Sequence, residues 1–281
     1  MANLYPGRKR RNAIWIALAW AATAFGLGWL VLILGALLWK GVGGLSIDVF
    51  TKMTAPPGVA GGLLNSIVGS LIQTLLGLVI SAPLGILGGT FLAEYGRYTR
   101  FAAIVRFIND ILLSAPSIVV GLFVYEFCVV PFGHFSGLAG GVALAVISTP
   151  IIVRTTEDML GLVPNTLREA ASALGMPRSL VIQRVAYRAV RAGLVTGILL
   201  AIARMTGETA PLIFTALGSS LFTADPTQPM SSLPLIIYEF ARSPYPEQQK
   251  LAWTGALIVT LAVLSLSIFA RVISSSRSAS R

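Results

Sequence analysis

Long apolar stretches separated by short polar intervals dominate the chain. They run from Ile14 to Leu38, Leu63 to Leu92, Arg106 to Val130, Phe135 to Val153, Ala192 to Leu217 and Leu251 to Ala270. A helix needs roughly 20 apolar residues to cross a bilayer core with all its backbone bonds satisfied internally, and each stretch is of that order. The pattern predicts an all-α, polytopic membrane protein with six transmembrane helices. The third stretch is the poorest by hydropathy, since it holds Asn109 and Asp110 and carries Glu126. The first exceeds the roughly 7–15-residue core of a signal peptide and reads as a retained span.

Composition agrees. Of 281 residues 55% are hydrophobic and 11% charged, with a mean hydropathy of +0.80, whereas soluble domains carry roughly 25% charged residues. The formal net charge of +10 suits nucleic acid, anionic lipid or membrane topology equally, so placement must decide. With the N-terminus inside, the basic residues at 8–11, 97, 100, 106, 154, 168, 178, 184, 188, 191, 271, 277 and 281 share one side. Only Lys40, Lys52, Arg242 and Lys250 fall outside, and Arg204 lies within the membrane. That is the positive-inside asymmetry, which puts both termini in the cytoplasm and makes a nucleic-acid partner unnecessary.

Cys128 is the single cysteine and His134 the single histidine. Disulfides, Cys-rich or His-based metal sites and hydrolytic triads are thereby excluded. No Gly-rich loop ending in Lys-Ser or Lys-Thr is present, so the chain has no P-loop with which to hydrolyse ATP. Membrane lipid is the one partner that composition alone requires.

The chain divides into residues 1–60 (tail, first span, outer loop), a core of residues 61–272, and a tail of residues 273–281. The second to sixth spans form the expected bundle, with the first peripheral to it. Small residues at Ser81, Gly85 and Gly89, and at Gly193, Gly197 and Ala201, read as packing faces. Two segments lie outside the lipid, an inner loop from Arg154 to Arg191 and an outer stretch from Gly218 to Lys250.

In the inner loop, Thr166-Leu167-Arg168-Glu169 has the form of a capping box and predicts a short helix from Leu167 to Leu174. Gly175 supplies a left-handed residue to end it, and Pro177 opens a second helix. Such a pair can begin a DNA-binding helix-turn-helix, but tethering at both ends to the membrane forbids a major-groove approach. Ala170 and Ala171 present almost no side chain, so another protein can come close to the helix; the pair then reads as a plug. The bland alternative makes Glu169 a helix cap and the alanines good helix formers.

Two ionisable groups of the fifth span, Arg204 and Glu208, stand at i, i+4 on one helix face where they can pair. At 1.5 Å per residue they lie about 18 and 24 Å from the inner end of the span, and Glu126 about 22 Å along the third, which allows a charge cluster of three. One reading is a bundle-locking ion pair. The other is an oxyanion site, in which the forked donors of Arg204 face the substrate, Glu208 holds the guanidinium, and Thr206, Thr209 and Ser117 add hydroxyls. Pro211 should leave a carbonyl one turn earlier unpaired. The interruptions Ser114-Ala115-Pro116-Ser117 and Ser148-Thr149-Pro150 either line a path with exposed backbone or are architectural kinks.

The run Glu169-Ala170-Ala171, three residues, Gly175, nine residues and Val185 resembles the EAA loop of binding-protein-dependent ABC permeases, although Tyr187-Arg188 stand where that loop usually has Leu-Pro. The runs 196–204, 207–212 and 214–216, with Pro116–Val119, Gly121–Phe123 and Arg154–Glu157, are similar to the A-type permeases of phosphate-specific transporters, and the likeness extends from Leu63 to Ala270. The resemblance implies a type I ABC importer permease with a MetI-like core in a bacterial inner membrane. It further implies a second phosphate permease subunit, a cytoplasmic ATPase dimer that binds the ATP, and a periplasmic phosphate-binding protein. Glu169, Ala170, Ala171 and Gly175 would couple to the ATPase, and the fifth span would carry the motion to Arg204. On this reading the chain is a transport subunit without an enzyme activity or a cofactor or metal of its own. A permease for another oxyanion, or a proton-coupled anion transporter, remains the alternative.

Overall fold

A computed structural model describes residues 5–59 and 61–276 of the chain. These residues fold almost wholly into helices, with one isolated bridge between Leu217 and Met230. In order they are α1 (Tyr5–Val42), α2 (Ile47–Thr51), α3 (Leu64–Thr90), α4 (Arg100–Ser114), α5 (Ser117–Val124) and α6 (Gly137–Gly161). The rest are α7 (Asn165–Ala173), α8 (Arg178–Ala189), α9 (Arg191–Met205), α10 (Ala210–Thr215), α11 (Leu233–Ala241) and α12 (Pro246–Ser276). A π turn at Phe91–Tyr95 prolongs α3 and another at Tyr125–Val129 prolongs α5.

Four of these helices are long and apolar enough to cross a membrane unbroken: α1, α3, α6 and α12. The third predicted span is a bent pair, with 106° between α4 and α5. The fifth, expected from Ala192 to Leu217, is α9 and the short α10 with a break between them, and α9 makes its bent pair with α8, at 76°, a helix expected in the loop before it. The six predicted spans therefore stand only if each bent pair counts as one. Pro116 explains the first bend: its ring pushes the preceding residue out of the helical region, and Ala115 duly takes φ −65° and ψ 135°.

The second predicted interruption does not interrupt. α6 runs unbroken through Pro150; around it the Ser148 and Thr149 hydroxyls fold back onto the Leu144 and Ala145 carbonyls and the Asn109 amide donates to the Pro150 carbonyl at 3.3 Å. α6 also continues past its expected end at Val153 to Gly161. Glu157 there receives the Arg106 Nε of α4 at 2.6 Å, so the charge is neutralised by a neighbouring helix.

α3 and α6 pack side by side through the small residues the sequence singled out. A Cβ on Gly85 would lie 2.5 Å from the Ile152 Cβ, and one on Gly89 2.5 Å from the Val153 carbonyl. On the other flank of α6, Gly197 of α9 sits against Thr155. Such backbone approach stands in for the hydrophobic drive that lipid cannot supply between helices. α1 is peripheral, as predicted: it is exposed along nearly its whole length and meets α12 where Gly41 abuts Leu257 and Lys40 lies 4.9 Å over the Trp253 ring.

The outer stretch Gly218–Lys250 is more ordered than a loop outside the lipid. α11 buries Leu233, Ile236 and Phe240 in a cluster with Val49, Leu63 and Ala252. The residues before α11 are held against the N-terminal half of α3 by a row of polar side chains, all within an otherwise apolar helix. Asn65 donates to the Ser219 carbonyl at 2.8 Å, Ser66 pairs with Ser231 at 2.9 Å, and Ser70 accepts the Leu233 N–H at 2.7 Å. The Gln73 amide donates to the Met230 and Ser231 carbonyls at 3.4 and 3.3 Å. Gly69 belongs to the same row, since a Cβ there would come within 2.0 Å of the Ser231 carbonyl. α12 continues through Ser276, beyond the expected boundary at 272, and the ends of both predicted tails, residues 1–4 and 277–281, lie outside the described residues.

Candidate functional site

At the end where α3 and α6 finish, α7 and α8 form the predicted helix–bend–helix. Gly175 makes the bend at φ +76°, with open space where a Cβ would be. Pro177 caps α8, and Pro164 caps α7 at φ −62° and ψ 142°. The capping box does not form. α7 begins at Asn165, so Thr166 lies inside the first turn and no side chain caps the helix. Glu169 makes neither an ion pair nor a hydrogen bond among the described residues, which leaves its carboxylate open. Ala170, Leu174 and Gly175 face outward, Leu174 at 84% exposure. Ala171, expected on the docking face, is only 7% exposed and turns inward.

What fastens this unit to the bundle is a buried ion pair that sequence reading did not find. Arg168 donates from Nη2 and Nε to the Glu94 Oε1 at 2.6 and 3.1 Å. Its remaining hydrogens go to the carbonyls of Leu160 at 2.8 Å and Val163 at 2.5 Å and to the Asn165 Oδ1 at 3.4 Å. The Glu94 side chain is 6% exposed and the Arg168 side chain 17%. A buried carboxylate costs several kcal/mol unless paired and hydrogen-bonded, so the two residues hold each other in place. Arg178 adds a bond to the Glu94 carbonyl and stacks 4.7 Å over the Tyr95 ring. Tyr187, which departs from the usual Leu of the EAA loop, bonds through its hydroxyl to Thr90 at 2.8 Å and packs with Leu160, Val163 and Ala186.

Within the membrane, Arg204 and Glu208 do pair, with Nε 3.4 Å from Oε1. They do not share a helix. α9 stops at Met205 and α10 starts at Ala210, so the pair bridges the break between them. Pro211 therefore occupies the first turn of α10, where its missing N–H is one the helix would leave unbonded anyway, and it frees no carbonyl mid-helix. The expected third member, Glu126, is exposed on the π turn after α5 and pairs with no cation among the described residues.

The Arg204 side chain is 45% exposed while that of Glu208 is 15%. A half-open guanidinium with a more buried counter-ion keeps forked N–H donors for an incoming anion. Thr206 is tied to its own helix through the Ala203 carbonyl at 2.9 Å and also lines a small cavity with Ser70, Gln73, Thr74 and Ser232. Gln73 Oε1 and Ser232 Oγ, both buried there, have no partner among the described residues. Thr209 precedes α10 and makes no side-chain cap bond. Ser117 opens α5, which lies tight against α10: a Cβ on Gly121 would fall 2.6 Å from the Pro211 Cα. The two motifs, Pro116–Phe123 and Gly207–Leu212, thus meet in space. Among the described residues no group of three or more His, Cys, Asp or Glu side chains assembles.

Comparison with known proteins bears on both regions. The family described as "Binding-protein-dependent transport system inner membrane component" matches residues 85–278. The phosphate transport system permease protein PstA of Yersinia pestis is 53% identical over 95% of this chain and 90% of its own length. That of Haemophilus influenzae is 52% identical over 94% of each chain. A probable phosphate transport system permease protein PstA of Methanocaldococcus jannaschii is 36% identical over 74% of each. Among solved structures, a chain of a bacterial alginate ABC transporter in complex with an alginate-bound periplasmic protein superimposes with a TM-score of 0.67 at 13% identity, covering 95% of this chain and 96% of that one. A chain of the inward-facing MetNI methionine ABC transporter gives 0.61 at 21% identity, covering 76% and 94%. At these identities the structures establish the fold, an ABC importer permease fold, and the sequence matches establish the lineage. The chain belongs to the family of binding-protein-dependent transport system inner membrane components.

Proposed function

We propose that the chain is the A-type permease subunit of an ATP-driven importer of inorganic phosphate. It conducts substrate and hydrolyses nothing, while ATP is bound and spent by a cytoplasmic ATPase dimer that grips α7. A second phosphate permease completes the membrane unit, a periplasmic phosphate-binding protein delivers the anion, and both termini of this chain lie in the cytoplasm of the cell whose inner membrane holds it. The observation that carries the reading is the shape and anchoring of α7. It presents Glu169, Ala170, Leu174 and Gly175 outward, with Glu169 unpartnered, while Arg168 on its other side is locked into the bundle. A helix with those two faces supports contact with a moving partner.

Phosphate as substrate is supported by the permeases that share half of this sequence and by the half-open Arg204 beside Glu208. Ser117, Thr206 and Thr209 supply neutral donors along the same route. Co-purification in detergent, followed by reconstitution, tests the proposal. The expected result is a complex with an ATPase and a second permease, whose ATP hydrolysis is stimulated by phosphate-loaded binding protein. Uptake driven by a proton gradient in the absence of ATP would overturn it in favour of a secondary transporter.

A further inference from the structure

The fifth span is the expected carrier of motion from the coupling helix, because Arg204 lies in it. The structure points elsewhere. α9 is separated from α8 by a 76° bend, and a hinge is a poor push-rod. By contrast, four residues of the inner end of α3 touch the coupling unit directly. Glu94 takes Arg168 through its side chain and Arg178 through its carbonyl, Tyr95 takes the Arg178 guanidinium on its ring, Thr90 bonds Tyr187, and Ala93 packs with Val163 and Ala186.

From there α3 is continuous to Leu64, 32 residues counting its π turn, or about 48 Å at 1.5 Å per residue. It passes Pro83 without a break and is braced on α6 by Gly77, Gly85 and Gly89. Its far end carries the polar row, Asn65, Ser66, Ser70 and Gln73, which holds the segment between Ser219 and Leu233. In the membrane, polar side chains of this kind bind one element to another by hydrogen bonds that the lipid cannot replace. Gln73 is wholly buried and bonds the segment through its amide nitrogen only, its oxygen unpartnered.

We propose that α3 is the transmission rod of the subunit: Glu94 is the positioning residue through which Arg168 drives it, and Gln73 is the positioning residue through which it moves the segment over the outer end of the bundle. The proposal rests on the reading of α7 as the ATPase-gripped helix and adds the route that its motion takes. Opening on the outer side is then linked to the ATPase along one helix. The Arg204–Glu208 break beside it is carried along, since Thr206 shares a cavity wall with Gln73.

Two variants at opposite ends of the rod test this in the reconstituted complex. Glu94→Gln keeps the shape and removes the charge; Gln73→Met keeps the volume and removes both bonds to the outer segment. Each is expected to assemble with the ATPase and retain its basal hydrolysis, yet to raise the ATP consumed per phosphate imported at least tenfold. Glu94→Asp, which keeps the charge, should recover part of the coupling. The double variant should be no worse than either single one, because both cut the same linkage. Should Glu94→Gln fail to assemble, Gln73→Met decides, since it leaves the inner clamp untouched. Normal coupling in the variants, or losses that multiply in the double, overturns the rod. A wild-type chain that purifies with no ATPase overturns the coupling reading itself, and so the two failures are distinguishable.

Discussion

Arg204 makes one 3.4 Å contact with Glu208 and leaves much of its guanidinium open. A lysine there would keep the charge and lose the planar fork that meets two oxygens of an oxyanion at once. We therefore expect Arg204→Lys to reach the membrane in normal amount but to transport phosphate roughly tenfold more slowly or worse, measured as uptake of labelled phosphate into vesicles. Normal uptake would assign the pair to bundle locking. Gly69 is a residue of a different kind, required by space alone. Gly69→Val would drive a side chain into the Ser231 carbonyl, which a Cβ would already approach to 2.0 Å. The cost expected from overpacking is about 1–3 kcal/mol, read as a lowered unfolding midpoint in detergent.

At the level of elements, the bend between α7 and α8 separates two residues that look alike in importance from sequence. Thr166→Ala should change stability by less than about 0.5 kcal/mol, because Thr166 caps nothing. Gly175→Val forces a β-branched residue to φ +76° at about 1–2 kcal/mol, and its predicted readout is ATP hydrolysis that persists while phosphate uptake falls. α11 adds a pH effect. Partial burial pushes the Glu239 carboxyl, which still faces solvent, up from its ordinary range, so the fold slightly favours the neutral form and gains a little stability as pH falls through the raised value. Glu239→Gln should be slightly the more thermostable protein at neutral pH, with the difference vanishing in acid.

How far these elements can be read from sequence depends on the range of the forces involved. Spans are legible because lipid imposes a length on every one of them. The pairing of Arg204 with Glu208 was legible from spacing, although a helix break now lies between them. Ser114–Ser117 and Ser148–Pro150 look equivalent along the chain, yet only the first bends. The second stays inside one helix, where its Pro150 carbonyl is met by Asn109, a residue 41 positions away. Glu94 and Arg168 are 74 positions apart, and neither carries a local signature. The polar row on α3 did leave a trace, as Asn65, Ser66, Ser70 and Gln73 recur on one side of an apolar run. The trace is ambiguous along the chain, because small and amide residues in a span are as often packing as attachment.

Taken whole, the molecule is built on a pair of parallel helices, α3 and α6, with α9 and α11 laid against them and α12 packed in turn on α11 and α9. α1 is set apart and, among the described residues, meets α12, where Gly41 and Lys40 reach Leu257 and Trp253. Thr254 likewise bonds the Gly41 carbonyl from 213 positions further along the chain. This helix therefore cannot settle until partners that far downstream have been made, and a chain cut off before them would leave it orphaned in the bilayer.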